Sequence, residues 1–236
     1  MKNQSGATLI IVLVMLLLVT LLGGMAVRSG ILDLRVSTNS QVNALLLENN
    51  NAAFFNIEDP NNLLRQLAAD GIFAHFNAAA NINDELVFCY RHSSAKEFYT
   101  TAKKSIIDEK DEATTGGIAG FCKSGEFVSG RSAIQSQIYL RKILETSSPF
   151  LTVPTGTSLG QANVPTMVHS VAFTVISILP SFSGATKTQI EACFQKTAYK
   201  KPTTTETVGE CFAKLGVPYN LQRGDYTVGG SPKLIS

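Results

Sequence analysis

An uncharged apolar segment near the amino terminus limits the possible folds of this 236-residue chain more than any other feature. Residues 7–27 contain no Asp, Glu, Lys or Arg, and as a helix they would extend over about 31 Å, close to the hydrocarbon thickness of a bilayer. Such a segment argues against a purely soluble cytosolic enzyme. The rest of the chain is long enough for one domain with its own hydrophobic core.

The composition is that of a folded protein with nearly balanced charges. Apolar residues make up 44% of the chain and charged residues 16%, which is unlike a disordered chain. The 20 Lys and Arg residues against 18 Asp and Glu residues give a net charge of +2. A dedicated nucleic-acid-binding protein would carry a larger positive excess.

The apolar segment has three interpretations, which differ in what is removed from the protein. In the first, it is a secretory signal that is cut after the small-x-small sequence of residues 24–26. In the second, it is a plain membrane anchor. In the third, residues 1–6 are a leader that is cut on the cytoplasmic side of the membrane, so that Ala7 becomes the first residue. The stretch from residue 7 to residue 22 is long for the apolar part of a secretory signal, which disfavours the first interpretation.

The residues around this junction resemble those of type IV pilins and pseudopilins. Residues 4–10 (QSGATLI) combine the end of a short basic leader, a glycine and the start of a long apolar helix. Residues 23–29 (GGMAVRS) resemble the helix of minor pilins of the PilX type. Ile11 would be the fifth residue of the mature chain, where most pilins have Glu. PilX-type minor pilins and their counterparts in type II secretion often lack that Glu too.

The resemblance implies a function in pilus assembly. A prepilin peptidase would cut after Gly6, and the amine of Ala7 would be methylated. The protein would reside in the inner membrane with a periplasmic C-terminal domain, and then at the pilus tip on the cell surface. Its helix would contact other minor pilins and the major pilin, and a large tip adhesin is a further expected partner. Such subunits are few per filament, initiate assembly, and support twitching motility and DNA uptake; DNA binding by the chain itself is expected to be weak or indirect.

Two alternatives to a PilX-type minor pilin stay open at this point. One is a minor pseudopilin of type II secretion, and the other is an adhesive or binding module of the periplasm on a plain membrane anchor. The N-terminal residue of the purified protein separates the second alternative from the two pilin-like interpretations.

The apolar segment is predicted to be the first half of one long helix over residues 7–58. The first proline of the chain is Pro60, so no proline interrupts a helix of roughly 78 Å. After residue 42, apolar residues fall on one stripe that can face a core. The alternative is two helices, broken at Gly23 and Gly24 or near Gly30, because glycine costs about 1 kcal/mol at each helical position.

The remaining residues, 59–236, are predicted to form a periplasmic α+β domain with an antiparallel sheet laid on the helix. Alternating apolar and polar residues predict strands over residues 134–141 and 167–179. Shorter strands are predicted over residues 86–90 and 118–122, with an edge strand near residues 225–228.

The connections of this domain carry turn and capping signals. Asp59 and Pro60 are predicted to start a short helix that ends before residue 71, with Leu63, Leu64 and Leu67 turned inward. Residues 147–166 contain three prolines and two glycines, which predicts a loop.

The four cysteines all follow the apolar segment, which indicates an oxidising compartment. Four cysteines allow three pairings, and the local sequence favours Cys89–Cys122 together with Cys193–Cys211. Cys89 and Cys122 both lie in predicted short strands, whereas Cys193 and Cys211 both follow capping-box patterns, at residues 188–191 and 207–210. The second pair resembles the cysteine-closed loop near the C terminus of many pilins. A disulfide bond there would contribute roughly 3 kcal/mol to the free energy of unfolding. No Cys-x-x-Cys motif occurs, which disfavours a zinc site.

The other polar clusters carry weaker signals. The acidic residues 108–112 are predicted to be a solvated loop and not a calcium site, because Lys110 interrupts them and the spacing of an EF-hand is missing. The lysine pairs 103–104 and 200–201 are predicted to be solvated, although a tyrosine near each pair could stack on single-stranded DNA. No hydrolase, nucleotide-binding or metalloprotease motif occurs, so no enzymatic activity, cofactor or metal is expected.

Overall fold

The structure is a computed structural model that describes residues 5–91, 104–117, 120–129, 133–143 and 168–229. The predicted loop 147–166 lies outside these residues. The chain divides into two compact units, Met1–Ala44 and Leu45–Ser236. The first unit is helical over its described residues, and the second contains the sheet.

The N-terminal helix is continuous. Helix α1 comprises Ser5–Glu58, so the predicted single helix is confirmed and the two-helix alternative is wrong. Gly23, Gly24 and Gly30 all lie inside α1, because a glycine lowers helix stability without removing a hydrogen bond. The helix ends just before Pro60, which disfavours helical backbone in the residue that precedes it.

The segment after α1 contains short helical turns. The side chain of Asp59 accepts a hydrogen bond from the N–H of Asn61 at 2.9 Å and caps the 3₁₀ turn Pro60–Asn62. Helix α2 (Leu63–Gln66) follows at once. Leu67 is buried as predicted, but the side chain of Leu64 is 72% exposed. The inward orientation predicted for Leu64 is wrong because α2 is a single turn, too short for a helical stripe.

The described strands form one six-stranded antiparallel sheet, whereas the sequence predicted five strands. In chain order they are β1 (Glu85–Tyr90), β2 (Ser105–Ile107), β3 (Ala113–Thr114), β4 (Gln135–Lys142), β5 (Val168–Ile178) and β6 (Tyr219–Gly229). The order across the sheet is β3-β2-β1-β4-β5-β6. The predicted α+β class with an antiparallel sheet is therefore present, and the edge strand predicted near residues 225–228 is an eleven-residue strand.

The C-terminal part of α1 packs on one face of the sheet. Phe54 of α1 contacts Phe173 of β5, with ring centroids 4.6 Å apart. Gly224 of β6 allows this contact, because a Cβ atom at that position would lie 2.7 Å from Cε1 of Phe54. Leu46 and Ile57 of the same helix are fully buried.

A buried hydrogen-bond network fixes the rotation of this part of α1. The amide nitrogen of Asn50 donates to the backbone oxygen of Asn220 at 3.0 Å and to its side-chain oxygen at 2.7 Å. The amide oxygen of Asn50 accepts from the hydroxyl of Ser177 at 2.6 Å, and Ser177 is also hydrogen-bonded to Ser136. One helical side chain thus bonds directly to β5 and β6, and through Ser177 it is linked to β4.

Two short helices cover the other face of the sheet. Helices α4 (Lys187–Phe194) and α5 (Val208–Lys214) follow α3 (Ile72–His75) in chain order, and both begin with a capping box. The box of α5 is the predicted one, whereas the box of α4 starts two residues earlier than predicted, at Thr186. The rings of Phe194 and Phe212 meet edge to face at 5.1 Å in the core between the helices and the sheet.

Candidate functional site

The N-terminal part of α1 is the principal candidate for an assembly surface. From Leu9 to Leu22 its side chains are apolar except Thr20, and they are exposed on every side of the helix. A helix that is apolar all round is typical of a membrane span. By length and composition, α1 is the only helix among the described residues that can cross a membrane.

The predicted processing residues lie at the start of this surface. Gly6 and Ala7 lie in the first turn of α1, and residues 1–4 of the predicted leader lie outside the described residues. Ile11 lies one turn further along the helix, with a side chain that is 59% exposed. No atom comes within 4 Å of a Cβ atom built on Gly23 or Gly24, so these glycines leave a notch that another helix can approach closely.

The structure pairs the four cysteines as the sequence favours. Cys89 is bonded to Cys122, with Cα atoms 4.7 Å apart, and Cys193 to Cys211, with Cα atoms 5.5 Å apart. The first bond does not join two strands, because Cys122 lies in the loop before β4; the strand predicted over residues 118–122 is wrong for the described residues 120–122. The second bond joins α4 to α5, and the loop that it closes is named here the C-terminal loop (residues 193–211).

A buried glutamine links the two disulfide regions, and sequence analysis missed it. The side-chain oxygen of Gln137 on β4 accepts the backbone N–H of Cys122 at 2.8 Å. Its nitrogen donates to the backbone oxygen of Phe194 at 2.7 Å, and Tyr139 donates to the same oxygen at 2.9 Å. Alternation along β4 predicted that Gln137 would face away from the apolar side, but α4 covers that face as well.

A second polar residue that the sequence did not reveal is Glu85, the first residue of β1. Its side chain is buried, and one carboxyl oxygen accepts from the hydroxyl of Thr197 at 2.7 Å and from the N–H of Ala198 at 3.2 Å. Burial raises the pKa of Glu85 to about 7. The opposite residue on β4 is Arg141, whose guanidinium lies 4.0 Å from the ring centroid of Tyr199.

A third cluster corrects the prediction that Lys104 is solvated. Lys104 is only 9% exposed, and its ammonium donates to Nδ1 of His75, whose Nε2 lies 2.9 Å from Asp84. Burial lowers the pKa of Lys104 to about 8 and also lowers the pKa of His75. In this arrangement His75 is neutral, accepts a hydrogen bond from Lys104 at Nδ1 and donates one to Asp84 from Nε2.

The second lysine pair is also engaged within the chain. Lys200 pairs with Glu210 at 2.7 Å, and Lys201 pairs with Asp111 at 2.6 Å. One face of the Tyr199 ring is covered by Arg141, which leaves less of it for stacking on a base. Lys103 lies outside the described residues.

Comparisons with protein-family models, with curated proteins and with solved structures give no match for this chain. Among the described residues, no group of three or more His, Cys, Asp or Glu side chains is placed to hold a metal ion. The features that point to a function are therefore the chain's own: an apolar helical surface and a disulfide-bonded sheet domain.

Proposed function

We propose that this protein is a minor pilin of the PilX type that initiates type IV pilus assembly and supports twitching motility and DNA uptake. One observation carries the proposal. A single proline-free helix of 54 residues is apolar all round in its first part and packs on an antiparallel sheet in its last part. A subunit that is first held in a membrane and then in a helical fibre needs both parts.

In this function the chemistry is association and not catalysis. Residues 7–27 cross the inner membrane before assembly and pack against the helices of other minor pilins and the major pilin afterwards. The notch at Gly23 and Gly24 permits close approach of a neighbouring helix, where dispersion contacts replace contacts with lipid. Two disulfide bonds suit a domain that faces the periplasm and then the cell exterior.

Ile11 supports a position at the pilus tip. Cleavage after Gly6 places a positively charged amine on Ala7 at the edge of the apolar fibre core, where an unpaired charge costs several kcal/mol. In pilins generally, the Glu of an incoming subunit is thought to neutralise the amine of the subunit above it. A subunit with Ile11 lacks that carboxylate, so it fits best as an early subunit that has none above it. Its own amine would pair with the Glu of the next subunit.

The first experiment determines the N-terminal residue of the protein made in a host with a prepilin peptidase. Intact-mass analysis should show a chain that starts at a methylated Ala7. Gly6→Val should leave Met1 in place, while the matched change Gly24→Val should not alter cleavage. An unmodified protein that keeps Met1 would indicate a plain anchor, and one that starts at Val27 would indicate a secretory signal; either result rejects the pilin assignment.

The second experiment tests the tip position. Deletion of the gene should sharply reduce surface pili, and immunogold labelling should mark filament ends. Ile11→Glu should be tolerated or should let the subunit enter the shaft, whereas Ile10→Glu, which puts the carboxylate on another side of the helix, should impair assembly. Uniform immunogold labelling along the filaments of the unmodified strain rejects the tip position. Loss of protein secretion with normal pili would instead assign the protein to type II secretion.

A further inference from the structure

The imidazole ring of His75 is hydrogen-bonded at both of its nitrogen atoms, to groups of opposite charge. Nε2 lies 2.9 Å from Oδ2 of Asp84, the residue before β1, and Nδ1 is bonded to the ammonium of Lys104, the residue before β2. The side chains of His75 and Asp84 are only 8% and 14% exposed. Because an ammonium group can only donate, Nδ1 is the acceptor, and the single ring proton lies on Nε2 and is donated to Asp84.

A second proton on this ring is incompatible with the contact to Lys104. An imidazolium ring has a donor at each nitrogen, so a proton added at Nδ1 removes the acceptor of the ammonium and places two positive charges side by side. Burial lowers the pKa of His75, and the charge of Lys104 lowers it further, whereas the hydrogen bond to Asp84 acts in the opposite direction. A third charged group, the ammonium of Lys142 on β4, donates to the backbone oxygen of Phe76 at 3.3 Å, and it too is positive.

The Lys104 side chain is attached to backbone that holds two segments together. The backbone oxygen of Lys104 accepts the N–H of Gly117 at 3.1 Å, and the hydroxyl of Ser105 accepts the N–H of Gly116 at 3.0 Å. The strand that starts here, β2, has three residues, and its outer neighbour β3 has two. The contact between Lys104 and His75 therefore joins a short outer part of the sheet to α3.

We propose that His75, Lys104 and Asp84 form an acid-sensitive latch, which holds the start of β2 against α3 while His75 is neutral and releases it when His75 takes up a second proton. In the released state the imidazolium stays paired with Asp84, and the ammonium of Lys104 turns to solvent, where water replaces its lost acceptor. The opening is local, because the Cys89–Cys122 bond still holds the loop before β4.

The direction of the pH dependence follows from the surroundings of the ring. The pKa of His75 is lower in the closed form than its ordinary value of 6.5, so the open form binds the second proton more tightly. The stabilisation of the closed form is fully present above pH 6.5 and is lost as the pH falls below that value. The outer part of the sheet thus opens in acid, while the strands beyond it stay paired.

Hydrogen exchange of the full-length protein in a nonionic detergent tests the latch. The amides of Gly116 and Gly117 report on it, because they bond to Ser105 and to Lys104. After correction for the intrinsic effect of pH on exchange, their protection should fall about tenfold from pH 7.5 to pH 5.0. The amides that pair β4 with β5 should keep their protection over the same range.

His75→Gln is the decisive variant, and His169→Gln is the matched control. The side-chain oxygen of Gln can accept from Lys104, its nitrogen can donate to Asp84, and it does not titrate. Protection of the reporter amides should therefore be the same at both pH values in His75→Gln. His169 lies on β5, so His169→Gln should open in acid as the unmodified protein does.

Nitrogen-15 NMR of the His75 ring adds a measurement that needs no variant. At pH 7.5 the signals should be those of the tautomer with its proton on Nε2, and the imidazolium should appear at the same pH midpoint as the increase in exchange. Three results would overturn the proposal: protection that is unchanged at pH 5.0, an equal loss of protection in His75→Gln, or two midpoints that differ. If His75→Gln does not fold, the two midpoints in the unmodified protein decide.

Discussion

Replacing the buried Glu85 with Gln should change how the stability of the domain depends on pH. Glu85 has no cation within ion-pair distance among the described residues; its carboxyl group is held by the hydroxyl of Thr197 and the N–H of Ala198. Burial therefore dominates and favours the protonated, neutral form. Gln has nearly the same shape, keeps an oxygen that can accept both hydrogen bonds, and does not titrate.

The sign and the size of the effect follow from the pKa of Glu85. Its pKa is about 7 in the folded protein against an ordinary value of 4.5, so the folded protein binds this proton more tightly than the unfolded chain. The stabilisation is fully present below pH 4.5 and is lost as the pH rises through 7. At about 1.4 kcal/mol for each tenfold difference in proton affinity, the loss is about 3 kcal/mol.

Urea unfolding of both proteins from pH 5 to pH 8 measures this effect. The free energy of unfolding of Glu85→Gln, relative to the unmodified protein, should rise by about 2 to 3 kcal/mol over this range. The lowered pKa of His75 acts in the opposite direction, but it is present in both proteins and cancels. Glu210→Gln is the control, because the lowered pKa of that exposed group makes it titrate below this range. A difference between the two proteins that does not change with pH would refute the reasoning.

Three further predictions concern the buried contacts. Asn50→Leu should lower the free energy of unfolding by about 2 to 4 kcal/mol in urea titrations, because it removes the acceptor of the Ser177 hydroxyl and the donor to both oxygens of Asn220. Asn49→Leu, which removes only an exposed hydrogen bond to Leu45 within α1, should change it little, and equal losses would contradict a role for the network. Cys211→Ser should lower the free energy of unfolding by about 3 kcal/mol and should increase hydrogen exchange first in α4 and α5. An equal increase in hydrogen exchange in these helices and in the sheet would contradict this prediction. Burial lowers the pKa of Lys104, so the contribution of this residue to the free energy of unfolding is fully present above pH 10.5 and is lost as the pH falls through 8. The free energy of unfolding of the unmodified protein, relative to that of Lys104→Met, should therefore rise between pH 8 and 10.5. A difference between the two proteins that does not change with pH would contradict this.

The elements that the sequence predicted correctly are those with strong local signals. The absence of proline before Pro60 predicted α1, and alternation along residues 134–141 and 167–179 predicted β4 and β5. Capping chemistry at Thr207 predicted the start of α5. In each case the residues that determine the element lie inside it or directly beside it.

The parts that the sequence could not predict depend on contacts between distant residues. Strand β2 has three residues in a polar stretch, and its pairing with β1 holds it in the sheet. Lys104 looks like a surface lysine until His75 and Asp84 are brought to it. The burial of Gln137 and Glu85 likewise requires α4 and the C-terminal loop, which follow them by more than 50 residues.

The strand order has a consequence for how folded molecules behave at high concentration. One edge of the sheet ends in β3, a strand of two residues, which offers little backbone to another chain. The other edge is β6, with eleven residues that pair only with β5 among the described strands, and a long edge of this kind can template intermolecular sheet growth. The side chains of Arg223 and Asp225 are exposed on either side of Gly224 in the middle of β6, and charges at an edge oppose such growth. Among the described residues, opposition to sheet growth at the β6 edge therefore depends on these two side chains.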